Sequence, residues 1–217
     1  MKRDGVLILI LAALFNLWGC TPGFLHVSKP TVYVREGLPK RETPPRLAVL
    51  PFESPDYYPE IGMYTAKIFF QKLMERREFK EVSFSQETDW YERGGSFNGR
   101  TELAVDEGKN LQSDYILIGR IERYQVGHIT SNDVVVTVRL IEVETGETIY
   151  FATGHGSGKP GKTFLIMDIK SGEPTPSTTS VLYAVVDHLI KDCFRRNYWK
   201  SLNRLFSSLD TEDDLFC

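Results

Sequence analysis

From Arg46 onward the apolar residues fall into two alternating rhythms. Leu47-Ala48-Val49-Leu50-Pro51-Phe52 is a continuous apolar run interrupted by Pro51, which predicts a strand buried on both faces. Between Glu60 and Arg77, Ile61, Tyr64, Ile68, Phe69 and Leu73 recur at helical spacing with Lys67, Lys72, Glu75 and Arg76 between them. Phe79 to Phe84 returns to a two-residue alternation, Trp90 to Arg100 is Gly-rich and irregular, and Glu102 to Leu111 has the pattern of a short helix. Tyr115 to Ile121 and Val134 to Val143 are strand-like, and Glu144-Thr145-Gly146-Glu147 signals a tight turn into a strand over Thr148 to Thr153. Gly154 to Ser177 is polar, rich in Gly and Pro, and interrupted by Phe164-Leu165-Ile166-Met167, which predicts a long loop. A helix then carries Leu182, Val185, Val186, Leu189, Ile190 and Cys193 on one side, with Thr178, Thr179 or Ser180 as its cap. The order β-α-β-α-β-β-β-α predicts an α+β two-layer sandwich, a mixed sheet with helices on one face.

Ahead of this domain the pattern changes twice. Lys2 and Arg3 precede an apolar run from Val6 to Phe15, and Leu17-Trp18-Gly19-Cys20 closes the segment. A basic start, about ten apolar residues and small residues near the end describe a secretory signal, well short of the ~20 residues needed to span a bilayer. The Leu-x-Gly-Cys ending resembles the lipobox of bacterial lipoproteins, and the resemblance implies cleavage before Cys20 and lipidation of its thiol. More than one acyl chain at Cys20 would make a stable anchor to the membrane. Thr21 after the cysteine, in place of Asp, favours the outer membrane by the same resemblance. Residues 21–45 hold Pro22, Pro30, Pro39, Pro44 and Pro45 without sustained periodicity and read as a semi-extended tether, with Thr31 to Val34 as a weak edge-strand candidate. The chain thus divides into a signal peptide at 1–19, a lipid-anchored tether at 20–45, a folded domain at 46–207 and an acidic tail at 208–217.

Composition narrows the function classes. The 217 residues carry 26 Lys+Arg against 29 Asp+Glu, a formal net charge of −3, which excludes a dedicated nucleic-acid binder because no row of phosphates could be neutralised. With Cys20 acylated, Cys193 and Cys217 remain. Either they pair in an oxidising compartment, or Cys193 is a small buried apolar residue and Cys217 stands apart at the last position.

Candidate chemistry is sparse. Gly156-Ser157-Gly158-Lys159-Pro160-Gly161-Lys162-Thr163 literally satisfies the G-x-x-x-x-G-K-[ST] phosphate-loop pattern. A phosphate loop needs a helix opening at the Lys-Thr pair, and only about seven residues follow before Ser171-Gly172-Glu173-Pro174, so a basic loop is the favoured reading. His26, His128, His155 and His188 lack the spacing of a zinc site, although His128 and His155 would meet if their strand ends were adjacent. No Gly-x-Ser-x-Gly elbow is present, and the pairs Asp56/Glu60 and Glu142/Glu144 read as solvated surface. Tyr57-Tyr58, Tyr91, Tyr124 and Trp199 are candidates for a contact surface, since aromatics are enriched at interfaces.

Four motifs in order resemble one group of bacterial envelope lipoproteins. Arg46 to Phe52 is similar to its apolar opening strand, Phe79-Lys80-Glu81-Val82 to its second strand, Ser113 to Ile121 to its "aDYvlxGxi" strand, and Arg139 to Glu147 to its "rlidvxTGei" hairpin. The chain therefore resembles the superfamily that includes CsgG, the curli secretion lipoprotein, and LpoB, the penicillin-binding-protein activator, with the N-terminal domain of TolB a more distant relative in fold. The resemblance implies a non-catalytic protein with no cofactor and no metal, held at the periplasmic face of the outer membrane, that binds and positions or activates another envelope protein. The alternative is a subunit of a self-associating secretion or assembly ring, and nucleotide binding at Gly156 to Thr163 ranks third. Lys159, Lys162, Phe164, Trp90 and Trp199 are the expected partner-binding residues. A self-contained pore is not expected, because Tyr124 to Asp133 is too short for a membrane-inserting hairpin and Gly154 to Ser177 lacks barrel alternation.

Overall fold

The computed structural model describes residues 24–34, 44–76, 78–86, 95–99, 101–127, 131–159, 164–166, 169–171 and 176–195. Its centre is the strand β3 (Arg46–Val49), which pairs in parallel with β4 (Glu81–Phe84) on one side and β5 (Tyr115–Gln125) on the other. From β5 the sheet continues antiparallel through β6 (Asn132–Glu142) and β7 (Thr148–Lys159). Two short N-terminal strands, β1 (Phe24–Val27) and β2 (Thr31–Val34), share the outer edge of β7, giving a seven-stranded mixed sheet. A separate two-stranded ribbon, β8 (Phe164–Ile166) with β9 (Ile169–Ser171), lies between β7 and the last helix.

Residues alternate across β3 and β5, and each face of the sheet collects its own core. Leu47, Val49, Leu117, Val138 and Leu140 meet the helices α1 (Ile61–Met74) and α3 (Thr178–Arg195), whose Phe69, Leu73, Leu182, Val185 and Leu189 are buried against them. Ala48, Leu50, Ile116, Ile118 and Ile141 point the other way, to α2 (Glu102–Asn110), Phe97 and Phe151. The α+β class and the mixed sheet are as expected. The placement of the short helix is not: α2 presents Ala104 and Val105 to the second face, because a strand buried on both faces needs an apolar cover on each.

Two further segments differ from the sequence-based expectation. The tether contributes sheet: Val27, Val32 and Val34 pack against the core beneath α1 and α3, so the alternation over 24–34 outweighs Pro30 between the strands. The strand expected to end at Thr153 runs on to Lys159. There Gly154, Gly156 and Gly158 alternate with His155 and Ser157, and the glycines face α3. A Cβ at Gly156 would meet Val185 Cγ2 at 2.5 Å, and one at Gly154 would meet Leu189 Cγ at 2.9 Å. The glycines are the hollow into which α3 packs rather than the sign of a loop. α3 itself is capped one residue earlier than expected, by Ser177, whose Oγ accepts the Ser180 N–H at 3.1 Å.

Candidate functional site

One end of the sheet gathers the features that no packing argument requires. The strand register defines that end: β1 begins there, with Phe24 opposite Lys159, and Asn132 at the start of β6 faces Gly158 at the end of β7. β5 finishes there at Gln125, opposite Asp133, and α3 departs from there, its Val181 beside Gly158 and its Leu189 two turns lower beside Gly154. The chain after β3 climbs toward the same end beside β5, with Glu53 accepting the Ile121 N–H at 2.9 Å, and turns at Tyr57-Tyr58 into α1.

Five tyrosines converge at this turn. The Tyr57 and Tyr58 rings lie edge to face at 5.6 Å, and Tyr58 meets Tyr124 at 5.2 Å in the same geometry. The Tyr124 N–H donates to Tyr57 Oη at 3.3 Å. Tyr64, on the first turn of α1, is hydrogen-bonded through its side chain to Tyr183 on α3, which together with desolvation raises the Tyr64 phenol above its ordinary range. Tyr124 is buried, whereas Tyr57, Tyr58, Tyr64 and Tyr183 are 61%, 42%, 40% and 38% exposed. Edge-to-face pairs of this kind hold large rings in place at low entropic cost, which is what a contact surface needs.

Beside them is a charged chain across three strands. Arg123 Nη1 donates to Asp133 Oδ2 at 2.8 Å, and His155 Nε2 lies 2.5 Å from Asp133 Oδ1. Partial burial pushes the Asp133 carboxyl up, but the hydrogen bonds from Arg123 and His155 outweigh it and leave the group below its usual range. The cluster ties the ends of β5, β6 and β7 together. Among the described residues the His155 ring has Asp133 as its hydrogen-bonding partner. Among the described residues no three His, Cys, Asp or Glu side chains are placed to hold a metal ion.

The sequence-predicted site residues distribute unevenly. Lys159 is exposed at the last position of β7, paired with Phe24, and Phe164 opens β8 opposite Ser171. Cys20, Trp90, Lys162, Trp199 and Cys217 lie outside the described residues, as do His128, the signal peptide and the acidic tail. Cys193 is half-buried against the core, beside a wholly apolar cavity of about 30 Å³ that also touches Leu73, Phe79 and Leu140. A cavity of that size is packing slack. The phosphate-loop reading is contradicted. Gly156 to Gly158 are in register with β6 on one side and β1 on the other, and Lys159 with β1, so their backbone is committed to the sheet, and the chain after Thr163 enters a strand instead of a helix. Glu142, expected on the surface, is 3% exposed and accepts the Thr145 hydroxyl at 3.0 Å.

Sequence reasoning picked out Tyr57, Tyr58 and Tyr124 but read Tyr64 as core-facing and passed over Tyr183. The signal that would have found Tyr64 is its charged and polar company: it shares the outward side of α1 with Lys67 and Gln71, both exposed.

No family model and no curated protein sequence matches the chain. Solved structures similar to it include the PelC dodecamer from Paraburkholderia phytofirmans, at 18% identity and a TM-score of 0.47 over 76% of this chain and 91% of that one. Lipoprotein GNA1162 from Neisseria meningitidis is similar at 14% identity and a TM-score of 0.41, over 70% of this chain and 99% of that one. The LpoB C-terminal domain from Salmonella enterica is similar at 16% identity and a TM-score of 0.32, over 51% of this chain and 81% of that one. LpoB is one of the proteins named by the sequence resemblance. Identities and scores this low carry no residue-by-residue correspondence of sites.

Proposed function

We propose that the protein is a non-catalytic lipoprotein of the cell envelope, anchored through lipid on Cys20 at the periplasmic face of the outer membrane, that binds and positions or activates another envelope protein. The observation that carries this reading is the β8–β9 ribbon. Its two strands pair only with each other among the described residues, although they are inserted between a seven-stranded sheet and the helix that covers it. An isolated two-stranded ribbon is marginally stable by itself, and packing against a partner would stabilise it. No described helix is long and apolar enough to cross a membrane, and on this reading lipid on Cys20 is the means of attachment.

The test replaces residues 160–172 with a short Gly-Ser link, keeping Lys159 because it belongs to β7. The expected outcome is an unchanged thermal midpoint together with loss of cross-linking to the partner in intact envelopes. Retained cross-linking, or a collapse of folding, counts against the ribbon as the contact.

A second reading, a subunit of an assembly ring, is favoured by β4, which among the described residues terminates the sheet paired only with β3. A free strand edge is a template for another chain. Light scattering from the detergent-extracted protein decides it: a mass of several subunits supports the ring and a single-subunit mass opposes it.

A further inference from the structure

Large apolar side chains left in water are unevenly distributed on this molecule. Among the described residues eight are exposed, and six of them, Leu25, Tyr57, Tyr58, Tyr64, Val126 and Tyr183, stand at the end of the sheet where β1 begins and β5 finishes. The other two, Tyr33 and Met74, are each alone elsewhere. Scattered single residues need no explanation, but a group of this kind marks a surface that meets something other than water.

The length of chain on the N-terminal side says what that is. Phe24 is the first residue of β1 and sits at the tyrosine-bearing end, and only four Cα steps separate it from Cys20. Fully extended, four residues reach about 14 Å. The 11 residues of β5 alone extend about 35 Å, so the opposite end of the sheet stands far beyond that reach. The polar headgroup layer of a bilayer is roughly 5–8 Å thick on each side. A lipid on Cys20 therefore holds the tyrosine end, and no other, against the headgroups. Tyrosine is suited to that layer, with a ring for the acyl boundary and a hydroxyl for the water side.

We infer that the end of the fold formed by Tyr57, Tyr58, Tyr64 and Tyr183, with Leu25 and Val126, is a phospholipid-contacting surface that seats the domain directly on the bilayer. The inference rests on the Cys20 anchor proposed above. It replaces the picture of a domain lifted away by its N-terminal segment, because residues 24–34 belong to the sheet. Exposed Asp56 and Glu60 offset Lys159 and the Asp133-paired Arg123 at this end, so the contact is made by apolar and aromatic groups rather than by net basic charge. It is accordingly expected to hold on zwitterionic lipids and at high salt.

The experiment places a bimane reporter at Tyr64→Cys, or at Glu81→Cys at the opposite end, in a Cys193→Ser, Cys217→Ser chain. The vesicles are phosphatidylethanolamine and phosphatidylglycerol with a nitroxide on a fraction of the headgroups. Attachment is made in two ways: through the native lipidated Cys20, and through a histidine segment replacing residues 1–20 on nickel-chelating lipid. Quenching about threefold greater at position 64 than at 81 is expected with both anchors, given the thinness of the headgroup layer. In a Tyr57→Ser, Tyr58→Ser chain the contrast is expected to fall by roughly two thirds, because two of the three exposed rings left beside the reporter are gone. Equal quenching at 64 and 81 on the histidine anchor overturns the surface and makes it a site for a protein partner. An undiminished contrast in the double Ser variant overturns the role of the rings. A native chain that fails to float with vesicles, while the histidine-anchored chain keeps the contrast, overturns the Cys20 anchor and leaves the lipid surface standing. Tyr183→Cys is a second reporter position should Tyr64→Cys not fold.

Discussion

At one end of the sheet the chain passes from β6 to β7 through Glu144-Thr145-Gly146-Glu147, and almost every polar group there has a partner. The Gly146 N–H donates to Glu142 O at 2.8 Å, the Glu142 N–H to Glu147 O at 3.0 Å, and the Val143 N–H to Asp114 O at 2.9 Å. Asp114 also accepts the Arg46 N–H at 2.7 Å through its carboxylate, so β3, β5 and the β6–β7 turn are fastened together. At the other end the strands finish among exposed tyrosines, the β8–β9 ribbon leaves β7, and β1 leads back toward Cys20. The first end uses its residues on itself. The second leaves exposed rings and a ribbon without an internal task, and the proposed function is built on that difference between two ends of a sheet whose core is alike along its length.

The comparison can be broken most forcefully at the body that both ends share. Gly156→Val drives a branched side chain into Val185, at a cost of about 3 kcal/mol. For a chain of this size that lowers the thermal midpoint by roughly 6–12 °C, measurable by circular dichroism. ATP with Mg²⁺ leaves the midpoint of the parent chain unchanged, and a stabilisation by nucleotide would restore the phosphate-loop reading.

Next in size is the fastened end. Gly146 has φ of 72°, a left-handed backbone that costs other residues about 1–2 kcal/mol. Gly146→Ala should lower stability to denaturant by that amount without altering partner cross-linking. Loss of cross-linking would mean that the turn, too, is a contact.

At the working end, the Asp133 carboxyl titrates below its unfolded value, so its contribution is complete above the unfolded carboxylate range and is lost as pH falls through the depressed folded value. Asp133→Asn should flatten that acid limb of the stability curve, read by urea titration across pH. An unchanged acid limb would show that other carboxylates set it. The smallest effect is expected from Tyr183→Phe, which removes the hydrogen bond to Tyr64. Stability should stay within about 0.5 kcal/mol, while the Tyr64 phenol moves back down toward its ordinary range in an ultraviolet titration.

Much of the fold was legible because burial writes itself into sequence periodicity. The double-faced strand Arg46–Val49, the α1 face with Ile68, Phe69 and Leu73, and the Glu144–Glu147 hairpin all carry patterns set by one strong local cause. The extension of β7 was not legible. In it the determinant is the shape of a helix about 23 to 35 residues away, and glycine, the residue that makes room for α3, is also the residue of loops. The strands at 24–34 were hidden for a related reason: their valines are half-buried by tertiary pairing with β7, while Pro30 dominates the local reading. The tyrosine end was half legible. Tyr57-Tyr58 and Tyr124 stand out by type, but their meeting across 67 residues depends on the climb of the chain after β3, which no local pattern encodes.

The decisive measurement is site-specific photo-cross-linking in intact envelopes. A benzophenone amino acid is placed at Phe164, on the ribbon, and separately at Tyr33, among the described residues the most exposed aromatic away from the tyrosine end. One discrete protein adduct from position 164 and none from position 33 is the expected result. Adducts from position 33 alone, or equally from both, would contradict the assignment of partner binding to the ribbon end of the molecule.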